Sequence, residues 1–278
     1  MRDIAKLLAQ APLSAKFGLA IIVVYIIAAV FAPILAPYPQ RAIVGTQFEA
    51  ISGAHWLGTD HLGRDMLSRL IYAARNTVGI AVAATALTFL FGCMLGFLAA
   101  TIGGWVDQLL SRAADTILAI PTLIFALMLL TVFGTALPVL VLVIAFLESP
   151  KVFRIARSSA MNVVVMDFVE AARLRGEGVA WIMRREVLPN VMAPLVAEFG
   201  LRFCFVFLMI SALSFLGLGI QPPLADWGAM VRETAQLISF GVPTPLIPAF
   251  AIALLTIAVN FVVDWFLYKQ SGLKEDQA

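Results

Sequence analysis

The stretch VEAARLRGEGVAWIMRREVLPN, residues 169–190, is densely charged and interrupts a chain that is otherwise strongly apolar. Hydrophobic side chains make up 62% of the 278 residues and charged side chains 13%, and the mean hydropathy is +0.97. A soluble domain typically carries about 25% charged residues. The composition therefore predicts an all-helical membrane protein that crosses the bilayer several times, with residues 169–190 in a loop between spans.

The same composition excludes several classes of protein. The net charge of +2 and the lack of a basic run argue against a nucleic-acid partner. Cys93 and Cys204 each lie in an apolar run, where they form neither a disulfide framework nor a metal knuckle. The sequence has no G-x-x-x-x-G-K-[ST], G-x-S-x-G or H-E-x-x-H motif. We therefore expect no ATP-binding loop, no catalytic residues and no cofactor in this chain.

Six apolar segments can cross a bilayer core, which requires about 20 residues. The first is longer than the roughly 7–15 apolar residues of a cleaved signal peptide, so we interpret it as a retained span. Gly134 and Pro138 predict a tight turn after the third span. The fourth span must run past Glu148 and Pro150 to be long enough. The six predicted spans are residues 17–36, 77–100, 114–133, 137 to beyond 150, 192–217 and 246–264.

The distribution of basic residues predicts the orientation of these spans. Six spans place both termini on one side, and Lys and Arg are enriched in cytoplasmic loops. With the N-terminus inside, thirteen of the 19 Lys and Arg residues fall in inner segments, five in outer segments and one, Arg202, within a span. We therefore predict that both termini are cytoplasmic. In this arrangement, residues 1–16 and 154–190 are cytoplasmic segments, residues 37–76 and 220–244 are periplasmic segments, and residues 17–278 form one transmembrane domain.

The charged loop predicts two short helices separated by a break. Asp167 can cap a helix that begins near Phe168, and Gly176 and Gly178 end it. A second helix follows until Pro189 stops it. Its apolar stripe would consist of Trp181, Ile182 and Val187. These features fit either an amphipathic element on the lipid surface or a docking element for a cytoplasmic protein.

The residues of this loop resemble the EAA loop of ABC-importer permeases. The matching positions are Glu170, Ala171, Ala172, Gly176, Ile182, Leu188 and Pro189. In that family the loop is a coupling helix that sits in a groove of the ATPase subunit and transmits nucleotide-driven closure to the transmembrane helices. The resemblance implies the same role here. Glu186 stands where family members often have His, which reverses the local charge.

Two further stretches resemble one branch of that family, the C-type subunits of oligopeptide, dipeptide and nickel permeases. They are HWLGTDHLGRDMLSRLIYAARNTVGIAVA at residues 55–83 and SFLGLGIQPPLADWGAMV at residues 214–231. The resemblance places the second stretch near a docked periplasmic binding protein. Ala73 and Val263 replace glycines that are usual in this branch, which leaves the solute open. The outer motif residues are Gly58, Thr59, Asp60, Gly63, Arg64, Asp65, Gln221, Pro222, Trp227 and Gly228.

The first outer motif also predicts local structure. Thr59 or Asp60 can cap an amphipathic helix that runs to Arg75. Asp65 and Arg69 are spaced i, i+4 on that helix and would pair.

The two histidines and the outer tryptophan suggest two further predictions. His55 and His61 lie near acidic residues in the sequence, but their spacing matches no standard ligand pattern, and we expect no metal site. Trp227 suits a membrane interface.

One ionisable pair lies inside a predicted span. Glu198 and Arg202 are spaced i, i+4 with the acid first, which suits pairing with each other. A structural pair and a role in the solute pathway are both compatible with this pattern. The alternative function is an ion-coupled secondary transporter or a channel subunit. Secondary transporters tend to have inverted repeats and ionisable residues at the membrane midplane, and no series of such residues crosses this chain.

The resemblance implies a six-span permease with the fold of type I ABC importers, in the bacterial inner membrane. It would form the pathway for di- or oligopeptides or related solutes with a homologous second permease subunit. Two separate ATP-binding subunits would hold ATP and Mg, and a periplasmic solute-binding protein would deliver the solute.

Overall fold

The computed structural model describes residues 11–270, except for the side chain of Gln270. Most of this range is helical, and its only β-structure is two isolated bridges among residues 43–65. The π-helical turns Ala74–Val78 and Met183–Val187 and the 3-10 helix Ala235–Phe240 connect neighbouring helices. The α-helices are α1 (Leu13–Val30), α2 (Ala32–Leu35), α3 (Met66–Ala73), α4 (Gly79–Ile102), α5 (Gly104–Leu118), α6 (Thr122–Phe133), α7 (Leu137–Val164), α8 (Asp167–Leu174), α9 (Val179–Ile182), α10 (Leu188–Phe215), α11 (Trp227–Thr234) and α12 (Leu246–Gln270).

Four helical runs within residues 11–270 are long and apolar enough to cross a membrane. They are Leu13–Val30, Met66–Ile102, Val179–Phe215 and Leu246–Lys269. α5 and α6 make a fifth candidate when taken together. By length and composition, the described residues therefore hold four or five candidate spans, compared with the six predicted.

The predicted third span, residues 114–133, is wrong as a single helix. α5 ends at Leu118, α6 begins at Thr122, and the two axes differ by 88°. Pro121 has no backbone N–H and disfavours helical dihedrals at Ile120, so the helix cannot continue straight. With a rise of about 1.5 Å per residue, the 12-residue α6 alone covers about 18 Å. That is less than the roughly 30 Å of the hydrocarbon core.

The segment between α6 and α7 agrees with the sequence analysis. α6 ends at Phe133 and α7 begins at Leu137, so the predicted tight turn is confirmed. Gly134 has a φ of +87°, which glycine adopts at little cost. α7 then runs through Pro150 to Val164, as the fourth span requires, although Glu148, Lys151 and Arg154 interrupt its apolar stretch.

The second and first spans begin earlier than predicted. The π-turn Ala74–Val78 joins α3 to α4, so one helical run begins at Met66 rather than near residue 77. α1 begins at Leu13 and ends at Val30, and the chain bends before α2.

The described residues fall into two compact units. One unit comprises the residues up to Val82, Gly134–Leu140 and the residues from Phe203 onward. In it α1 packs closely on α12, because a Cβ added to Gly18 would lie 2.5 Å from the carbonyl oxygen of Ala258. The Tyr25 hydroxyl also donates a hydrogen bond of 2.9 Å to the carbonyl of Ala251 on α12.

The other unit comprises Ala83–Phe133 and Val141–Arg202. Two glycines spaced i, i+4 on α4 bring α7 close to it. A Cβ on Gly92 would lie 2.6 Å from Cβ of Val152, and one on Gly96 would lie 2.8 Å from the carbonyl oxygen of Phe153. This small-residue spacing lets two membrane helices pack backbone to backbone.

Candidate functional site

The charged loop forms two helices separated by a glycine break, so this prediction is confirmed. α8 ends at Leu174, and α9 begins at Val179. Gly176 ends α8 with a φ of +84°. Its N–H donates to the Arg173 carbonyl at 2.9 Å, and the Glu177 N–H donates to the Ala172 carbonyl at 3.1 Å. This pair of bonds is the Schellman motif, which requires a left-handed residue and favours glycine.

Two details of the loop differ from the prediction. Met166, not Asp167, is the N-cap of α8, and Asp167 lies in the first turn, where its charge still favours the positive end of the helix dipole. Pro189 does not stop the second helix, because the run continues from Val179 to Phe215. The π-turn Met183–Val187 precedes the proline and changes the hydrogen-bond spacing to five residues, so the helix tolerates the missing N–H.

The loop has one buried face and one exposed face. The exposed residues of the EAA motif are Glu170, Ala171, Gly176 and Pro189, and Glu186 and Leu188 are half-buried. The buried face is an apolar anchor that joins the loop to α4, α7 and α10. The apolar anchor consists of Phe97, Ala156, Ala160, Val169, Ala172, Ile182, Val187, Val191 and Leu195.

Two arginines stabilise this arrangement. Arg173 donates from Nη2 to the carbonyl of Thr101 at 3.0 Å, which attaches α8 to the end of α4. The guanidinium of Arg175 lies 6.0 Å from the ring centroid of Trp181, so a cation–π contact spans the glycine break. Sequence reasoning missed the Thr101 contact, because it joins residues 72 positions apart.

The first outer motif is a buried scaffold. Gly58, Thr59, Asp60, Gly63, Arg64 and Asp65 are all buried. The carboxylate of Asp60 accepts hydrogen bonds from the N–H groups of Leu62 and Arg64, both at 2.8 Å. It also accepts from Nε of Arg64 at 2.6 Å and from Nη1 of Arg69. Burial raises the pKa of Asp60, but these N–H groups and the two positive charges outweigh it, so the pKa lies below its usual value.

The predicted cap and ion pair of this motif are wrong. Asp65, not Thr59 or Asp60, caps α3 by accepting from the N–H of Ser68 at 2.8 Å. Because Asp65 also contacts Nδ1 of His55 at 3.0 Å, its carboxylate is already occupied. Arg69 instead binds Asp60 and Glu233, the latter at 2.6 Å. Glu233 is too distant in sequence for the motif to have indicated it.

Asp60, His61 and Glu233 offer ligand atoms that all lie within 4.8 Å of one another. Three such ligand atoms are close enough together to coordinate one metal ion. Here Arg64 and Arg69 already bind the two carboxylates, and their positive charges would repel an added cation. We therefore interpret the group as an ion-pair network.

The second outer motif, residues 214–231, is half buried and half accessible. Trp227 is 1% exposed, so its ring lies in the interior of this chain. Its Nε1 donates to the Leu70 carbonyl at 3.1 Å, and its ring packs edge-on against Tyr25 and Phe207. Gly228 is buried beside the Ser211 carbonyl, where an added Cβ would collide.

The residues flanking Trp227 hold the chain around it. Asp226 caps α11 by accepting from the Ala229 N–H, and it also accepts from the Thr77 hydroxyl, each at 2.8 Å. Burial raises the pKa of Asp226. Gln221 is half-buried and donates to two backbone carbonyls, whereas Pro222 is exposed.

Glu198 and Arg202 are paired in the structure, and a third residue joins them. Arg202 donates from Nε to Glu198 at 3.0 Å and from Nη1 to Glu148 of α7, also at 3.0 Å. Lys151 donates to Glu148 at 2.6 Å. Sequence reasoning missed Glu148 as a partner, although an acidic residue in an apolar run, two positions before Pro150, was the available signal.

The sequence matches two described families. Residues 92–270 match the binding-protein-dependent transport system inner membrane component, and residues 14–50 match the N-terminal TM domain of oligopeptide transport permease C.

Several relatives are peptide permeases by name. The dipeptide transport system permease protein DppC of Alkalihalophilus pseudofirmus is 34% identical over 249 residues, which cover 89% of this chain and 82% of that protein. The di/tripeptide transport system permease protein DppC of Pseudomonas aeruginosa is 35% identical over 254 residues, covering 89% and 84%. The glutathione transport system permease protein GsiD of Pectobacterium atrosepticum is 31% identical over 216 residues, covering 78% and 72%.

One solved structure supports the fold. It is described as an amino acid ABC transporter with histidines, and it aligns with a TM-score of 0.54 over 74% of this chain and 94% of that chain. At 19% identity the likeness concerns the fold alone.

Proposed function

This chain belongs to the binding-protein-dependent inner-membrane permeases, as a C-type subunit of the peptide branch. We propose that it couples solute passage to separate ATPase subunits through the EAA loop, whose matching positions all lie within residues 165–189. We call these residues the coupling segment. A homologous second permease would complete the pathway, two ATP-binding subunits would hold ATP and Mg, and a periplasmic binding protein would deliver the solute. Family membership favours this function over an ion-coupled carrier or a channel subunit.

Six spans in the bacterial inner membrane, with both termini cytoplasmic, complete the proposal. The four long apolar runs, α7, and α5 with α6 as one broken span would together make six. The excess of Lys and Arg in the segments assigned to the inside supports the orientation. Di- or oligopeptides are the proposed solutes, because the names of two relatives above describe dipeptide or di/tripeptide transport.

The exposed face of the coupling segment is the observation that carries this proposal. Its inner face is fixed by the apolar anchor and by Arg173, so the segment moves together with α4, α7 and α10. Its outer face presents Glu170, Ala171 and Gly176, together with Leu174, whose side chain is 84% exposed. Further apolar side chains of the same segment are exposed, and a group of them on a fixed segment suits a protein partner; they are Val165, Met166, Phe168 and Val179. A force applied to this face by a partner would therefore reach the transmembrane helices.

Gly176 offers the sharpest test of this surface. A Cβ at this position would meet no atom within 4 Å beyond the adjacent residues, so the chain itself leaves room for a small side chain here. The φ of +84° is a second constraint, because most side chains are strained there. Asn tolerates this conformation better than other residues with a Cβ. Gly176→Asn therefore tests the contact with little backbone strain, and Gly176→Asp adds a negative charge on a side chain of nearly the same shape as Asn.

The experiment is a pull-down of the tagged chain in detergent, co-expressed with the proteins encoded beside it. We expect the wild type to retain a second membrane protein and P-loop ATPases, and both Gly176 variants to lose the ATPases or peptide uptake. Gly134→Asn is the matched control, since Gly134 has a φ of +87° and equally open surroundings. Normal uptake and ATPase retention in both Gly176 variants would contradict the coupling role.

A further inference from the structure

Four charged side chains meet inside the unit formed by Ala83–Phe133 and Val141–Arg202. Arg202 of α10 binds Glu198 on its own helix and Glu148 on α7, and Lys151 binds the other oxygen of Glu148. Two positive and two negative charges therefore balance. Arg202 is the member that crosses between α7 and α10.

Burial separates three of the four charged groups from the solute, whereas the side chain of Lys151 is 30% exposed. The side chain of Glu148 is 3% exposed, that of Glu198 is 9% exposed and that of Arg202 is 10% exposed. These values refer to the single chain, and partner subunits can only cover the groups further. A solute would have to displace the surrounding side chains to touch them. The cluster therefore suits a connection between helices better than a binding site in the pathway.

The cluster lies where both helices have a weakened backbone. Pro150 follows Glu148 by two residues, and Pro194 precedes Glu198 by four. A proline inside a helix removes one backbone hydrogen bond and favours bending. At Pro150, the carbonyl of Phe146 that loses its usual partner accepts a bond from the Ser149 hydroxyl at 3.0 Å. The pair of Glu148 and Lys151 also spans this proline on one helix.

The cluster is a second attachment between the two helices that flank the coupling segment. α7 leads into the segment and α10 leaves it, and the apolar anchor already joins them through Ala156 and Leu195. At a rise of about 1.5 Å per residue, Glu148 lies about 12 Å beyond Ala156, and Arg202 lies about 10 Å beyond Leu195. Two attachments separated along the axes resist both sliding and bending of the pair.

We propose that Glu148, Lys151, Glu198 and Arg202 form a helix brace that carries displacement of the coupling segment along α7 and α10, past their two prolines. The inference rests on the proposed function, because it needs a partner that moves the segment. The brace residues act by positioning the helices and contact neither solute nor ATP. Without them, each helix would bend at its proline, and part of the displacement would not reach the far ends.

The test uses the assembled importer in proteoliposomes with its binding protein, and a tryptic digest of casein supplies the peptides. The neutral variant combines Glu148→Gln, Lys151→Met, Glu198→Gln and Arg202→Met, so that no buried charge is left unpaired. The readout is the ratio of ATP hydrolysis per assembled complex with and without binding protein and peptides. We expect this ratio to fall by about twofold to tenfold in the neutral variant.

A matched control removes another ion pair of the same unit. Asp107→Asn with Arg157→Gln abolishes a pair that does not join α7 to α10, and it should leave the ratio unchanged. A merely structural role would lower the yield of complex but not the ratio per complex. If the neutral variant fails to assemble, Arg202→Lys decides, because one ammonium cannot hold both carboxylates as the guanidinium does.

The outcomes separate the two proposals. A wild-type ratio in the assembled neutral variant, or in Arg202→Lys where that variant decides, overturns the brace and leaves the coupling segment in place. A wild-type chain that retains no ATPase subunits, or whose ATPases are not stimulated, overturns the proposed function and the brace with it.

Discussion

Replacing Asp60 by Asn should destabilise the protein more than any other single change in its ion-pair network. One oxygen of Asp60 accepts from the N–H groups of Leu62 and Arg64, and the other accepts from the side chains of Arg64 and Arg69. An amide can keep the first two bonds, but its NH₂ group would face the two guanidinium groups. Two hydrogen bonds to charged groups would be lost, each contributing about 1.5–3 kcal/mol.

The nearby Glu233 limits this loss. It already binds Arg69 at 2.6 Å and lies 3.8 Å from Arg64, so both arginines keep a partner. We therefore expect a change near the lower end of the sum, about 3 kcal/mol. In a chain of this size, that corresponds to a fall of about 6–12 °C in the melting temperature.

The assay is a thermal melt of the purified protein in detergent, followed by the helical circular dichroism signal at one fixed scan rate. Glu233→Gln is the comparison variant. It should lower the melting temperature by about half as much, since Arg69 would still bind the Asp60 carboxylate. An Asp60→Asn protein that melts within about 1 °C of the wild type, or above Glu233→Gln, would refute the assignment of Asp60 as the centre of the network.

Two further predictions concern helix packing and pH. Gly96→Ala places a Cβ 2.8 Å from the carbonyl oxygen of Phe153 and should destabilise the protein by about 1–3 kcal/mol. In the control Gly79→Ala the added Cβ meets nothing within 4 Å, and this variant should melt at or above the temperature of the wild type. A Gly96→Ala protein as stable as the wild type would contradict the close packing of α4 on α7. Folding lowers the pKa of Asp60, so the stabilisation by its carboxylate is complete above the unfolded-state pKa of about 3.9 and is lost at lower pH. The difference in melting temperature between wild type and Asp60→Asn should therefore stay constant from about pH 8 to about pH 5 and become smaller below about pH 4. A difference that grows on acidification would contradict the direction of this pKa shift.

Features that depend on neighbouring residues were predictable from the sequence. The break at Gly176 follows from a left-handed C-terminal cap. The turn at Gly134 has the same local origin. In each case the few residues around the position determine the outcome.

Features that depend on distant residues were not predictable. Trp227 has the amphipathic character of an interface residue, and only the packing of Tyr25 and Phe207 around it makes it a core residue. The partner of Arg202 across the helices, Glu148, lies 54 positions away. Pro189 would end a helix by the local rule, and only the preceding π-turn explains why the helix continues through it.

The π-turn Ala74–Val78 makes the exact number of residues between the outer motif and α4 a constraint in its own right. It places Asn76 and Thr77 against the backbone of Ala225 and the carboxylate of Asp226. Deleting one residue from the turn would restore an ordinary helix but rotate everything before it by about 100°, since a helix has 3.6 residues per turn. Arg69 would then point away from Glu233, and the Leu70 carbonyl would point away from Trp227. A relative whose chain is one residue shorter at this turn would therefore present its outer motif on a different side of the helix, even where the motif residues align with those of this chain.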